Sequence, residues 1–326
     1  MTGPAAVLVL SVAAAFAAPP YQESATTASE RQRQNREYNE SQRDVVERTW
    51  NRIITRSNKG HAEKLRKARI IYSIDETPLR FEANPGEQPV LLITTGGLRL
   101  QNVILEAYAL LATGRVDEAW LFQYMLYLRQ QHLKGARFHT ASVAAGIVGE
   151  ENVNALPPIY HGLYLHYRET ALFFSLAHEA AHLVHDDIVE QADKESDKAF
   201  EQRMQRQETR ADKFAVDMMT KQAEFVSAFS TLLFSTLMIY EPRDSVSDAN
   251  LHIPDRLRMR IIAGWVRDAV AKNPRVPDLD RSMINGGLEQ AFKFTDPVMY
   301  RVFLLFRDAQ LQRPVFDRLN LPSVIN

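Results

Sequence analysis

The chain contains no cysteine in 326 residues. Disulfides and thiolate metal ligands are therefore excluded, leaving histidine, aspartate and glutamate as the only strong ligands for an ion. No charge sign dominates either: 39 Lys and Arg stand against 40 Asp and Glu, a formal net charge of −1. That balance argues against nucleic acid as the main partner. No phosphate-cradling loop and no dinucleotide-binding fingerprint occurs. Long apolar runs are scarce. The uncharged stretch from Phe225 to Tyr240 contains Ser227, Ser230, Thr231, Ser235 and Thr236, and it falls short of the roughly 20 apolar residues of a membrane span. A buried core helix is the expectation there.

What is present is an ordinary globular composition, 45% hydrophobic and 24% charged, long enough for one large or two modest domains. Residues 1–18 form an apolar run ending in Ala15-Phe16-Ala17-Ala18 before Pro19-Pro20. That pattern predicts an export signal cleaved near Ala17 or Ala18, hence a periplasmic or secreted protein. No Lys or Arg precedes the run, so an uncleaved membrane anchor stays open. Residues 19–30 are polar and predict a flexible linker. Residues 31–326 read as a single domain with an N-terminal helical and β part (31–150), a catalytic core (155–262) and C-terminal helices (263–326).

Within the first part, Arg31 to Lys67 is rich in Arg, Lys and Glu, with Val46, Trp50, Ile53 and Ile54 at helical spacing. Its basic excess suits either a solvated helix face or peripheral contact with an anionic membrane surface. Ile70 to Ile74 and Pro89 to Gly97 have the β-branched content of strands, with Asn84-Pro85-Gly86 as a turn between them. Leu98 to Gln131 predicts two helices broken at Thr113-Gly114. Arg258 to Ala271 and Val298 to Leu311 predict further helices in the last third.

The chemistry centres on Leu176-Ala177-His178-Glu179-Ala180-Ala181-His182-Leu183-Val184. A helix turns once per 3.6 residues, so His178 and His182 project from one face on successive turns and can grip one metal ion. Glu179 is offset by about a hundred degrees, beside that ion without ligating it. This His-Glu-x-x-His spacing suits a zinc ion and a carboxylate that takes a proton from a zinc-activated water. Flanking Phe173, Phe174, Leu176 and Ala177 fit a helix buried on most sides. Two core histidines with ordinary hydrogen bonds would be the plainer reading. Zinc also needs a third protein ligand. From Asp186 to Lys221 the chain is free of Gly and Pro and contains Glu208-Thr209-Arg210-Ala211-Asp212-Lys213-Phe214-Ala215. Glu208 and Asp212 lie four apart and share a helix face. They are either a solvated charged face, or a ligand together with a carboxylate supporting a ligand histidine.

These two segments together resemble the HtpX and CAAX prenyl protease superfamily of zinc metallopeptidases, over about residues 155–262. The resemblance implies a zincin-like fold, one Zn2+ held by His178, His182 and Glu208, Glu179 as catalytic base and Asp212 as the support of a ligand histidine. It further implies a protein or peptide substrate. A later His-Pro segment ending in Arg corresponds here to Leu251-His252-Ile253-Pro254-Asp255-Arg256, with one residue inserted between His252 and Pro254. By that correspondence His252 would stabilise the oxyanion of the tetrahedral intermediate.

Ile159 to Tyr167 is aromatic and aliphatic and follows Pro157-Pro158, which predicts an extended segment before the active-site helix. Either 159–167 or 90–95 is expected to bind substrate backbone by strand addition. His161 and His166 have no partner at helical spacing and read as structural. His185 shares the His178 face about 10 Å further along, too far to ligate the same ion. The fold class expected is mainly α with a small β element. The function expected is a zinc endopeptidase of extracytoplasmic protein processing or quality control, against a zincin-fold scaffold or assembly chaperone that cleaves nothing.

Overall fold

The computed structural model describes residues 28–75, 81–133, 138–147, 158–187, 190–193, 195–220, 255–272 and 319. The chain is mainly helical, with one small sheet. In order come α1 (Ala28–Arg56), α2 (Lys59–Lys67), β1 (Arg69–Ser73), β2 (Phe81–Asn84), β3 (Val90–Thr94), α3 (Thr95–Ala112) and α4 (Glu118–Leu133). After them come α5 (Ala141–Ala144), α6 (Pro158–His185), α7 (Asp197–Thr220) and α8 (Asp255–Lys272).

Helix α1 follows its apolar stripe: Val46, Trp50, Ile53 and Ile54 are buried. Its other face carries exposed i,i+4 pairs, Arg33 with Glu37, Arg43 with Glu47 and Arg48 with Asp44, each worth little in water. The helix begins at Ala28, so the last residues expected in the linker are already helical. Asn35 and Asn39 donate to the carbonyls of Ile74 and Ser73 at 2.9 and 3.0 Å, tying α1 to the end of β1.

The sheet has the order β1-β3-β2, with β1 parallel and β2 antiparallel to β3. The turn expected at Asn84-Pro85-Gly86 therefore joins β2 to β3, and β2 had gone unread at the sequence level. Four residues with a charge among them carry almost no periodic signal. The third strand also stops earlier than its composition suggests. Thr94 caps α3, its side chain accepting from the Gly97 N–H at 3.0 Å, so Thr95-Gly96-Gly97 are the first turn of a helix. Leu91 and Ile93 alternate onto the buried face of the central strand. The helical pair broken at Thr113-Gly114 is present as α3 and α4, and Gly114 sits at φ 67°, where glycine is the natural occupant.

One expectation is overturned. Residues 159–167 are not a strand but the opening turns of α6, which runs unbroken from Pro158 into the histidine motif. Proline at the first helical position costs no hydrogen bond. The burial of Tyr164, Tyr167, Thr170 and Ala171 against the exposure of Leu165, His166 and Glu169 follows a helical period. Aromatic and aliphatic content alone does not tell a buried helix from a strand. The expected substrate strand at 90–95 fails for a different reason: β3 is central and paired on both sides.

Helix α6 is the organising element, packing against α1, α2, α3, α7 and β2. It ends in a left-handed residue, Asp186 at φ 52°, and the next residue, Asp187, donates its N–H back to the His182 carbonyl at 3.1 Å. This is the Schellman closure, usually made with glycine. Lys64 of α2 holds the turn, donating to the Val184 carbonyl at 3.0 Å and to Asp186 at 2.5 Å. Asp186→Gly is expected to stabilise the fold by about 0.5 to 1 kcal/mol, since relief of the left-handed strain exceeds the value of an exposed ion pair. Denaturant unfolding measures it, and a loss of stability would mean that the Lys64 contact outweighs the strain.

No helix among the described residues is long and apolar enough to cross a membrane. Residues 1–18, 225–240, 298–311 and His252 lie outside the described residues.

Candidate metal centre

Small side chains let two helices approach. Ala177, Ala180 and Ala181 on α6 are fully or nearly fully buried, as are Ala211 and Ala215 on α7, and helix separation is set by the side chains at the contact. Helices α6 and α7 pack along each other, and their chemistry-bearing residues meet there. The His178 and His182 ε nitrogens are 3.2 Å apart. Glu208 brings one carboxylate oxygen to 3.2 Å from the first and the other to 3.5 Å from the second. All three side chains are only 12 to 13% exposed.

Four donors around an ion at 2.0–2.2 Å stand about 3.3 to 3.6 Å apart along the edges of a tetrahedron. The trio matches three such corners. Two imidazoles and one carboxylate suit a first-row divalent metal better than magnesium or calcium, which prefer oxygen throughout. His178, His182 and Glu208 can thus hold a metal.

The δ nitrogens are engaged on the outer side. His178 Nδ1 lies 2.9 Å from Asp212 Oδ1, and His182 Nδ1 lies 2.9 Å from Asp187 Oδ2. A carboxylate only accepts, so each Nδ1 carries the proton and each Nε2 is directed toward the Glu208 side. Burial opposes a charge on His178, but hydrogen bonds to Asp212 and Glu208 and their charges outweigh it and lift its pKa to about 10. Asp187 was not anticipated. It is 3% exposed, and its second oxygen receives Arg210 from α7.

Glu179 lies beside the trio, as the helical offset requires. Burial pushes its pKa up; the His178 and His182 charges oppose that, as does a hydrogen bond from the Ala83 backbone N–H. Ala83 belongs to β2, which pairs among the described residues only with β3. Since its N–H points at Glu179, the Ala83–Leu91 pair is a non-hydrogen-bonded one, and so is Phe81–Ile93 two residues away. The outward backbone groups of Phe81 and Ala83 therefore lie along the edge next to Glu179. No sequence signal marked this edge.

Among the described residues, His185 and His166 take no part in this cluster. His185 contacts the rings of His61 and Phe214, with centroids at 5.8 and 6.4 Å, and burial lowers its pKa. His166 is exposed. A groove of about 770 Å³ between α7 and α8, lined by His185, Arg206, Arg210, Lys213 and Trp265 among others, includes none of the three ligand candidates.

Residues 165–260 match the family Peptidase U49. The match spans under a third of the chain and contains both motif segments. It points to a protease, acting by hydrolysis on protein substrates, and it agrees with the HtpX and CAAX prenyl protease resemblance at that level. Neither the curated proteins nor the solved structures gave a match.

Proposed function

We propose that this protein is a zinc-dependent endopeptidase related to the HtpX and CAAX prenyl protease superfamily. The observation that carries the reading is the position of Glu179 beside His178, His182 and Glu208, with its carboxylate tied to Ala83 of β2. Zinc held by the trio would supply Lewis acidity, lowering the pKa of a water and polarising the scissile carbonyl. Glu179 accepts the proton of the attacking water and returns it to the nitrogen of the leaving amine. Burial raises its pKa, which makes it a stronger proton acceptor than an exposed carboxylate. The Ala83 N–H keeps the carboxylate from swinging away. His252, outside the described residues, is assigned to the oxyanion in this reading. The apolar pattern of residues 1–18 supports work outside the cytoplasm, in envelope or extracytoplasmic protein processing or quality control.

The substrate backbone lies along β2 as an added strand, pairing with the outward groups of Phe81 and the carbonyl of Ala83, whose N–H stays with Glu179. A cleavable peptide methylated at one backbone nitrogen at a time tests this without altering the protein. Because strand hydrogen bonds alternate, kcat/KM is expected to drop about 5- to 100-fold at every second position near the scissile bond, the size of one unmade buried hydrogen bond. A uniform response along the peptide would rule out strand addition.

The function itself is tested by cleavage of an unfolded protein such as casein, with chelator and then zinc added back. Activity lost with chelator and regained with zinc supports the reading. Cleavage indifferent to chelator, or no zinc in the pure protein, overturns it.

A further inference from the structure

On an uninterrupted helix Asp187 would lie about 140° around from His182, facing away from it. The left-handed Asp186 reverses the chain, so that both backbone and side chain of Asp187 return to His182: the N–H to its carbonyl at 3.1 Å and Oδ2 to its Nδ1 at 2.9 Å. The other oxygen is held by Arg210. Helix α7 thereby makes three connections to the histidine pair within five residues: Glu208 to both ε nitrogens, Asp212 to His178, and Arg210 to His182 through Asp187.

We propose that Asp187 is a positioning residue for His182 and that Arg210 holds it in place, so that each histidine of the pair has a carboxylate of its own. The proposal rests on the metal reading above. Burying a carboxylate that touched nothing but helix backbone would be costly. Here both oxygens are used, one by a ring N–H that fixes the tautomer, the other by a cation that compensates the charge. The carboxylate keeps the proton on Nδ1 and leaves the Nε2 lone pair directed at the ion.

Two measurements test it on the full chain. Zinc affinity of D187A, by competition with a chromophoric chelator, is expected to fall 10- to 100-fold, the usual effect of losing such a partner. In D187N, whose amide oxygen can still accept from Nδ1, most of that loss should be recovered. Nitrogen NMR of labelled histidine in the metal-free protein should show His182 protonated at Nδ1 in wild type and shifted toward the Nε2-protonated form in D187A, a change that a role confined to closing the helix would not produce. Should D187A fail to fold, D187L/R210M removes both charges together, which proteins tolerate far better than a buried charge left alone; the same two losses are expected of it. An affinity within about twofold of wild type in a folded variant that lacks the carboxylate, with the tautomer unchanged, overturns the proposal. If wild type binds no metal, the zinc reading falls by itself and the tautomer measurement alone decides the role of Asp187.

Discussion

Glu179→Gln is expected to reduce kcat by about 10³-fold or more while zinc content and fold stay as in wild type. A positioned general acid or base contributes about 10² to 10⁴, and Glu179 would serve in both capacities, first toward the water and then toward the amine. Glutamine has the same shape, and its amide oxygen can still accept from the Ala83 N–H, so the side chain should stay in place. What it loses is the capacity to take a proton. The neighbouring His178 and His182 are untouched, and their hydrogen bonds to Asp212 and Asp187 keep the ligand geometry. A quenched fluorescent peptide assay with elemental analysis of the same preparation measures both parts. Activity above a tenth of wild type in a zinc-loaded variant would remove Glu179 from the base role.

Glu208→Ala is expected to weaken metal binding by more than about 100-fold, beyond the loss seen when only an outer hydrogen-bond partner goes. Two imidazoles alone leave the ion with no charged ligand. The proton competes for the same site, and the sign follows from His178. Its pKa is raised to about 10 in the folded, metal-free protein. Its proton therefore stabilises that form fully below the ordinary histidine range of about 6.5, and the contribution is lost as pH rises through about 10. Metal binding displaces this proton, so apparent zinc affinity should climb with pH, roughly tenfold per unit across neutral pH. Metal-free protein, conversely, should become less stable over the same range. Zinc competition and thermal unfolding between pH 6.5 and 9 check the pair of trends, and an affinity indifferent to pH would contradict the protonated His178.

Legibility followed the helical period. His178, Glu179 and His182 were readable because i, i+1 and i+4 have fixed directions on a helix whatever surrounds it. Glu208 and Asp212 were readable as a same-face pair for the same reason, though nothing in their spacing said which helix they would meet. The fold class was visible in outline, with α3, α4 and α8 near their expected positions. The strand expected at 159–167 was misread because buried helices and strands draw on the same apolar residues.

The sequence by itself thus determined the local chemistry: a cysteine-free chain whose only concentrated ligand set is a helical histidine pair with a carboxylate beside it. Everything that depends on distant residues meeting was decided by tertiary structure. The pairing of α7 with α6, which brings Glu208 within 3.2 Å of His178, rests on buried alanines on both helices. The hydrogen bond from Ala83 to Glu179 rests on a four-residue edge strand. The contact of Asp187 with His182 exists because the helix stops at His185 and Asp186 turns left-handed. Periodicity describes an element while it continues, whereas these contacts arise where one element ends or meets another.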